Sequence, residues 1–271
     1  MNSAASIFLG VIQGLTEFLP ISSSGHLVFF QNLLGFREPE LFMDISLHLG
    51  TLLAVCLYFH TDLLDIIRET LHFTGDFFSG RTTLSSIKAR PHVLLLLWVV
   101  VGTIPTALIG VIFRSPLERL FGNLTWVGAM LICTGLILAT TRFVRKDRNS
   151  RNSIGLLTAL AVGTAQGMAI IPGISRSGTT IVCGILCKTD RELAARFSFL
   201  LSIPAIIGAL VLQMGSQGLN NAEILPIVFG FLSSAVVGLI ALKILMSIVR
   251  KGNLAYFAPY CWALGLYIII F

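Results

Sequence analysis

Long uninterrupted apolar runs, rather than an alternation of hydrophobic and polar positions, dominate this chain. They cover residues 42–59, 93–113, 124–143, 197–214, 224–249 and 255–271. Runs of about twenty apolar residues match a hydrocarbon core about 30 Å thick at the rise of an α-helix, so each predicts a spanning helix. Pro105 predicts a kink in the second of them. Two further apolar stretches are broken. Residues 3–19 run into Pro20 and a Ser-Ser-Ser-Gly turn, and apolar character returns over 27–35. Residues 154–171 run into a polar break at 172–178, followed by a short apolar segment at 179–187. Two short helices around a polar break predict a re-entrant hairpin, because non-helical backbone at membrane depth must be buried in protein or line a wet cavity. A single kinked helix, its serines bonded to its own carbonyls, is the alternative for the first. Residues 60–91 read as a surface helix and loop, and 188–196 as a charged connector.

Composition supports the membrane reading. The 271 residues are 55% hydrophobic and 12% charged, with a mean hydropathy of +0.88. A soluble domain carries roughly twice that share of charge, so the expected class is an all-α polytopic membrane protein. The net charge of +6 is distributed between the apolar runs, which argues against a nucleic-acid partner. The five cysteines lie inside apolar segments, and Cys183 and Cys187, one turn apart, lack the partners of a zinc set. The N-terminal M-N-S-A-A-S lacks the basic region and cleavage site of a removable signal peptide.

The two broken stretches answer each other. Gln13, Ser22 and Gly25 recur as Gln166, Ser175 and Gly178 at a constant offset of 153, as do Gly10/Gly163 and Gly14/Gly167, while Pro20 and Pro172 slip by one residue. The chain therefore reads as one membrane domain made of two repeats, 1–148 and 149–271, divided at the basic stretch R-K-D-R-N-S-R-N. Each repeat holds a hairpin and three spans. An odd number of spans requires the second copy to be inverted, with its broken helices near the bilayer midplane. Under this arrangement fifteen Lys and Arg residues fall on one side and three (Arg37, Arg114 and Arg119) on the other. The positive-inside tendency makes the first side cytoplasmic, so both termini and the mouth of the first hairpin face outward.

Arg176, flanked by Ser175 and Ser177 inside an apolar segment, is the basic residue outside that count. Ionisable groups at depth face a partner or a cavity. Glu17 is its natural partner, either as a structural ion pair or as part of a site. Gly25 and Gly178 each follow a serine-rich turn at a helix start, so free N–H groups and the positive end of the helix dipole are expected to point into each break. That arrangement suits phosphate. The hydroxyls of Ser22, Ser23 and Ser24 add donors, and arginine adds a planar fork for phosphate oxygens. His26 titrates near neutral pH, although an isolated histidine in an apolar chain also occurs as a satisfied core residue. Such a set could hydrolyse a phosphoester or phosphoanhydride through a hydroxyl or imidazole nucleophile. Gln13 and Glu17 share a helix face and could contribute to an oxygen site for a divalent metal. A transporter or flippase of a phosphorylated polyprenyl lipid would also show inverted repeats and an anion site. The Ser-x-x-His spacing beside a carboxylate favours an enzyme.

The stretches Q-G-L-T-E-F-L-P-I-S-S-S-G-H and P-G-I-S-R-S-G-T-T resemble the two signature regions of the undecaprenyl-diphosphate phosphatase family, also called the bacitracin-resistance protein family. The resemblance extends over essentially the whole chain. It implies an integral membrane hydrolase that removes the terminal phosphate of the C55 isoprenoid diphosphate and recycles the lipid carrier of cell-wall synthesis. It further implies residence in the bacterial inner membrane, an outward-facing site and a Mg²⁺ or Ca²⁺ cofactor. Glu17 matches the second acid of the family's (E/Q)-x-x-x-E motif and Gln13 the first position, where Gln in place of Glu weakens a two-carboxylate metal site. Ser23 and His26 match the proposed nucleophile and base, in either order. Arg176 matches the diphosphate-binding arginine, with Ser175, Ser177 and Thr180 as supporting contacts. Besides the polyprenyl diphosphate, the partners it allows are membrane lipids and a second copy in a homodimer.

Overall fold

The computed structural model describes residues 3–36, 41–113, 120, 122–144, 150–214 and 224–271. Eleven α-helices are described: α1 Ser3–Phe18, α2 Ser23–Leu33, α3 Leu41–Tyr58, α4 His60–Phe78, α5 Pro91–Ile112, α6 Leu124–Ala139, α7 Leu156–Met168, α8 Arg176–Leu186, α9 Arg191–Met214, α10 Ile224–Lys251 and α11 Ala258–Ile270. Among the described residues, pairing of the β type is confined to one bridge, Arg151 with Thr189. The basic residues 145–148 and the outward-assigned Arg37, Arg114 and Arg119 lie outside the described residues.

The apolar runs become helices as expected, with informative differences. Four of the described helices are long and apolar enough to cross a membrane: Pro91–Ile112, Leu124–Phe143, Arg191–Leu212 and Ile224–Lys251. The third and fourth helices are bent by 72° at Phe59, so the amphipathic α4 leaves the line of α3. The last apolar run opens with a 3₁₀ turn at Leu254–Phe257, leaving α11 with 13 residues, less than a full span by itself. Pro105 and Pro204 both lie inside uninterrupted helices. The chain is thus an all-helical, multi-pass membrane protein.

The helix leading into each polar break packs on a long helix from the other half of the chain: α1 lies along α10 and α7 along α5. Glycines permit both approaches. A Cβ on Gly10 would strike Ser233 and the Gly230 carbonyl, and one on Gly163 would strike the carbonyl of Gly102. The central core joins α1, α3, α8, α9 and α10 through Phe18, Ala54, Phe59, Ile181, Phe199, Leu201 and Leu242. Phe18 meets Phe199 edge-on at 5.8 Å, and Phe199 stacks on Phe59 at 6.1 Å. This aromatic cluster fixes the end of α1, one residue beyond Glu17.

Candidate active site

The polar breaks follow from local chemistry. Ser22 caps α2, its Oγ accepting from the Gly25 N–H at 3.2 Å; Ser175 caps α8 in the same way, accepting from the Gly178 N–H at 3.1 Å. A capping hydroxyl satisfies one of the donors that a helix start leaves free. Two of the N–H groups expected to await an anion are therefore taken by the chain's own caps. The caps also move the helix starts upstream. Ser23, Ser24, Gly25 and His26 form the first turn of α2, and Arg176 to Thr179 the first turn of α8, where the sequence reading opens these helices at Gly25 and Gly178.

The two breaks touch. Arg176 Nη2 lies 2.6 Å from Glu17 Oε1. Glu17 Oε2 accepts from Ser23 Oγ at 2.7 Å and from Gln13 Nε2 at 2.9 Å. The Gly173 N–H donates to Ser24 Oγ at 3.4 Å, and Ser177 Oγ donates to the Leu19 carbonyl at 3.5 Å. Gln13 is fully buried and Glu17 nearly so, whereas Ser23, Ser24 and Arg176 keep partial exposure. Two buried polar atoms here lack a hydrogen-bond partner: Gln13 Oε1 and Arg176 Nη1. An unpaired guanidinium nitrogen beside partly exposed hydroxyls is a donor for an anionic oxygen.

His26 sits one turn beyond Ser23. Its Nδ1 meets the Ser22 carbonyl at 2.7 Å and its Nε2 meets the Tyr260 hydroxyl at 2.7 Å. Ser22 adopts φ 69°, ψ 96°, outside the backbone regions comfortable for an L-residue. That conformation presents its carbonyl to the imidazole while its hydroxyl caps the helix. Backbone strain of this kind persists only where surrounding contacts hold it.

The remaining sequence-derived residues are placed less directly. Ser175 and Ser177 are buried, with their hydroxyls 3.3 Å apart. Thr180 is fully buried, and its hydroxyl contacts Ser198 of α9 at 2.5 Å and the Arg176 carbonyl at 2.7 Å. Thr180 therefore ties α8 to α9, apart from the Glu17 cluster. Two residues escaped the sequence reading. Thr134 of α6 donates to the Gly173 carbonyl at 2.9 Å and accepts from the Ser175 N–H at 3.0 Å, bracing the second break. Tyr260 of α11 reaches His26. Both lie inside apolar runs, and their only sequence signal is a hydroxyl where a hydrocarbon would serve.

A metal can be tested against these atoms. Among the described residues no group of three or more His, Cys, Asp or Glu converges on one point. The unpartnered Gln13 Oε1 beside the Glu17 carboxylate nevertheless offers oxygen donors of the kind a hard divalent cation accepts, with water and substrate oxygens completing its shell.

Comparison with known proteins gives matches over nearly the whole chain. A family model described as "Bacitracin resistance protein BacA" matches residues 6–267. An undecaprenyl-diphosphatase of Desulfatibacillum aliphaticivorans is 45% identical over 97% of this chain and 96% of its own length. One from Desulforapulum autotrophicum is 45% identical over 100% and 98%, and one from Methanobrevibacter smithii 41% identical over 100% and 97%.

Proposed function

We propose that this chain, which belongs to the bacitracin resistance protein BacA family, hydrolyses undecaprenyl diphosphate to undecaprenyl phosphate and inorganic phosphate within the membrane. The observation that carries the reading is the junction of the two breaks: Ser23 and Arg176 hold one carboxylate between them, and Arg176 Nη1 is left without a partner. Its whole-length likeness to proteins named undecaprenyl-diphosphatase favours the phosphatase over a flippase of the same lipid.

In this reading Arg176 binds the terminal phosphate through the free edge of its guanidinium, and Ser24 contributes a hydroxyl. Ser23 Oγ passes its proton to Glu17 Oε2, to which it already donates, and attacks the terminal phosphorus. The bond to the bridging oxygen breaks, and undecaprenyl phosphate leaves. Water then attacks the phosphoserine, its proton taken by His26 Nε2; the bond from phosphorus to Ser23 Oγ breaks, Glu17 returns the proton to that oxygen, and inorganic phosphate is released. Ser23 is preferred to His26 as nucleophile because its hydroxyl already donates to a carboxylate, which can take its proton. Gln13 and Glu17 would hold a divalent cation, Mg²⁺ or Ca²⁺, which neutralises charge on the diphosphate oxygens when bound.

The two halves of the chain are proposed as inverted repeats, 1–148 and 149–271, each contributing one re-entrant hairpin. The reciprocal packing of α1 on α10 and α7 on α5 supports this, as does the equivalence of Gly10 and Gly163 at those contacts. The cytoplasmic face is assigned to the end where Arg196 pairs with Asp62, Arg250 with Glu192, and Arg191 with the Val144 carbonyl. Both termini and the diphosphate site then open to the outside. A homodimer is compatible with this arrangement. Phosphate release from C55 diphosphate by detergent-purified protein, with and without chelator, tests the assignment. No release, with lipid movement retained in vesicles, would favour the flippase.

A further inference from the structure

Tyr260 stands in the first turn of α11, 234 residues from His26 in the chain. Its ring lies nearly parallel to the imidazole, with an interplanar angle of 6° and centroids 5.7 Å apart. The hydroxyl meets Nε2 at 2.7 Å. The neighbouring contact fixes the direction of the proton. The Ser22 carbonyl can only accept, so Nδ1 carries the hydrogen, and Nε2 of the neutral ring then accepts from the Tyr260 hydroxyl.

The position of Tyr260 is set by the packing of α11. Its neighbour Cys261 is fully buried, with Sγ 3.7 Å from the Pro20 carbonyl in the first break. Ala258 joins Ile21, Leu138 and Val182 in one apolar cluster, so the start of α11 is held by both hairpins. Further along, Gly265 and Gly128 let α11 and α6 approach so closely that a Cβ on Gly265 would come within 2.6 Å of the Gly128 carbonyl. Phe29 of α2 meets Tyr267 edge-on at 6.1 Å. Tyr260 itself remains 46% exposed, so its hydroxyl can yield to an incoming ligand without unfolding the helix.

We propose that Tyr260 is a positioning residue for His26: its hydroxyl donates to Nε2 and holds the ring in register until substrate enters. The inference rests on the reading of His26 as the acid–base group of a phosphatase. It uses a tyrosine of the last helix, from the opposite half of the chain, to complete the first hairpin's chemistry.

The test is Tyr260→Phe in full-length, detergent-purified protein, which keeps the stacked ring and removes only the hydroxyl. On C55 diphosphate, kcat should fall about tenfold, the scale of one hydrogen bond expressed at the reacting centre, with KM unchanged within about twofold. In protein labelled with ¹⁵N-histidine, the His26 signal, identified by its loss in His26→Ala, should keep its Nδ1–H, held by the Ser22 carbonyl, while the Nε2 resonance shifts downfield as it loses the hydrogen bond it accepts. Both results are required. Wild-type kcat in Tyr260→Phe, a change confined to KM, or an unaltered Nε2 resonance would each overturn the proposal. Failure of the phosphatase reading is separately visible: wild-type protein would release no phosphate, or His26→Ala would retain full activity, while the Nε2 resonance would still report on Tyr260.

Discussion

Arg176 and Glu17 form an ion pair of 2.6 Å across 159 residues of sequence, joining the start of α8 to the end of α1. The carboxylate that neutralises the arginine also receives the Ser23 hydroxyl, so one side chain links the two hairpins and orients the nucleophile proposed here. Ser23 and Arg176 are themselves related by the offset of 153 that relates the two motifs. Equivalent positions thus carry a hydroxyl in one copy and a cation in the other, and both meet the same acid.

Replacing Glu17 separates the structural and chemical parts of this link. Glu17→Gln leaves the buried guanidinium without its counter-charge and should lower stability by about 3 kcal/mol, near the lower end for a broken buried pair because Arg176 retains some exposure. Phosphate release should be lost. Adding Arg176→Met removes the stranded charge and should restore much of the thermal stability without restoring turnover. Recovery of activity in the double variant would reduce the pair to a structural tie.

Ser23→Ala should fold normally, because the Ser22 cap and the His26 contact to the Ser22 carbonyl are untouched. Its kcat should drop by at least about a hundredfold. No phosphoprotein should accumulate in rapid-quench experiments. A variant that still turns over at near-normal rates would transfer nucleophilic attack to His26.

The Gln13 position provides a reading of the cation independent of the nucleophile. Gln13→Glu adds a second carboxylate one turn from Glu17. It should lower the concentration of Mg²⁺ or Ca²⁺ needed for half-maximal activity by about tenfold or more, measured by titrating chelator-treated protein. An unchanged titration would place the cation away from α1.

Helix packing can be tested at two glycines of different surroundings. Gly163→Ala puts a methyl group against the Gly102 carbonyl, and should destabilise the protein by about 1–3 kcal/mol as α7 is forced off α5. Gly75→Ala on α4 meets nothing within 4 Å and should be neutral or stabilising by up to about 1 kcal/mol through helix propensity. Thermal unfolding of the two variants in the same detergent compares them directly.

The proposed orientation predicts that a cysteine at position 150, introduced as Ser150→Cys, reacts with a membrane-impermeant maleimide only from the cytoplasmic side. Labelling of intact cells from outside would invert the topology.

The sequence by itself determined the solvent and supplied the candidate polar groups. Runs of twenty apolar residues and the scarcity of charge need no tertiary information, since transfer into lipid depends on local composition. The serine caps are equally local, because Ser22 and Ser175 bond N–H groups three residues away, although their effect on the helix starts was read too far downstream. Tertiary structure decided which polar groups meet. Glu17 and Arg176 could be matched from sequence as the charged groups of the two breaks, but their distance, and the Ser23 hydroxyl on the same carboxylate, come from the packing around Phe18 and Phe199. Thr134 and Tyr260 were invisible because a hydroxyl in an apolar helix carries no period or motif. Their partners lie 39 and 234 residues away, and contacts over such distances are chosen by helix packing, which hydropathy along the chain does not encode.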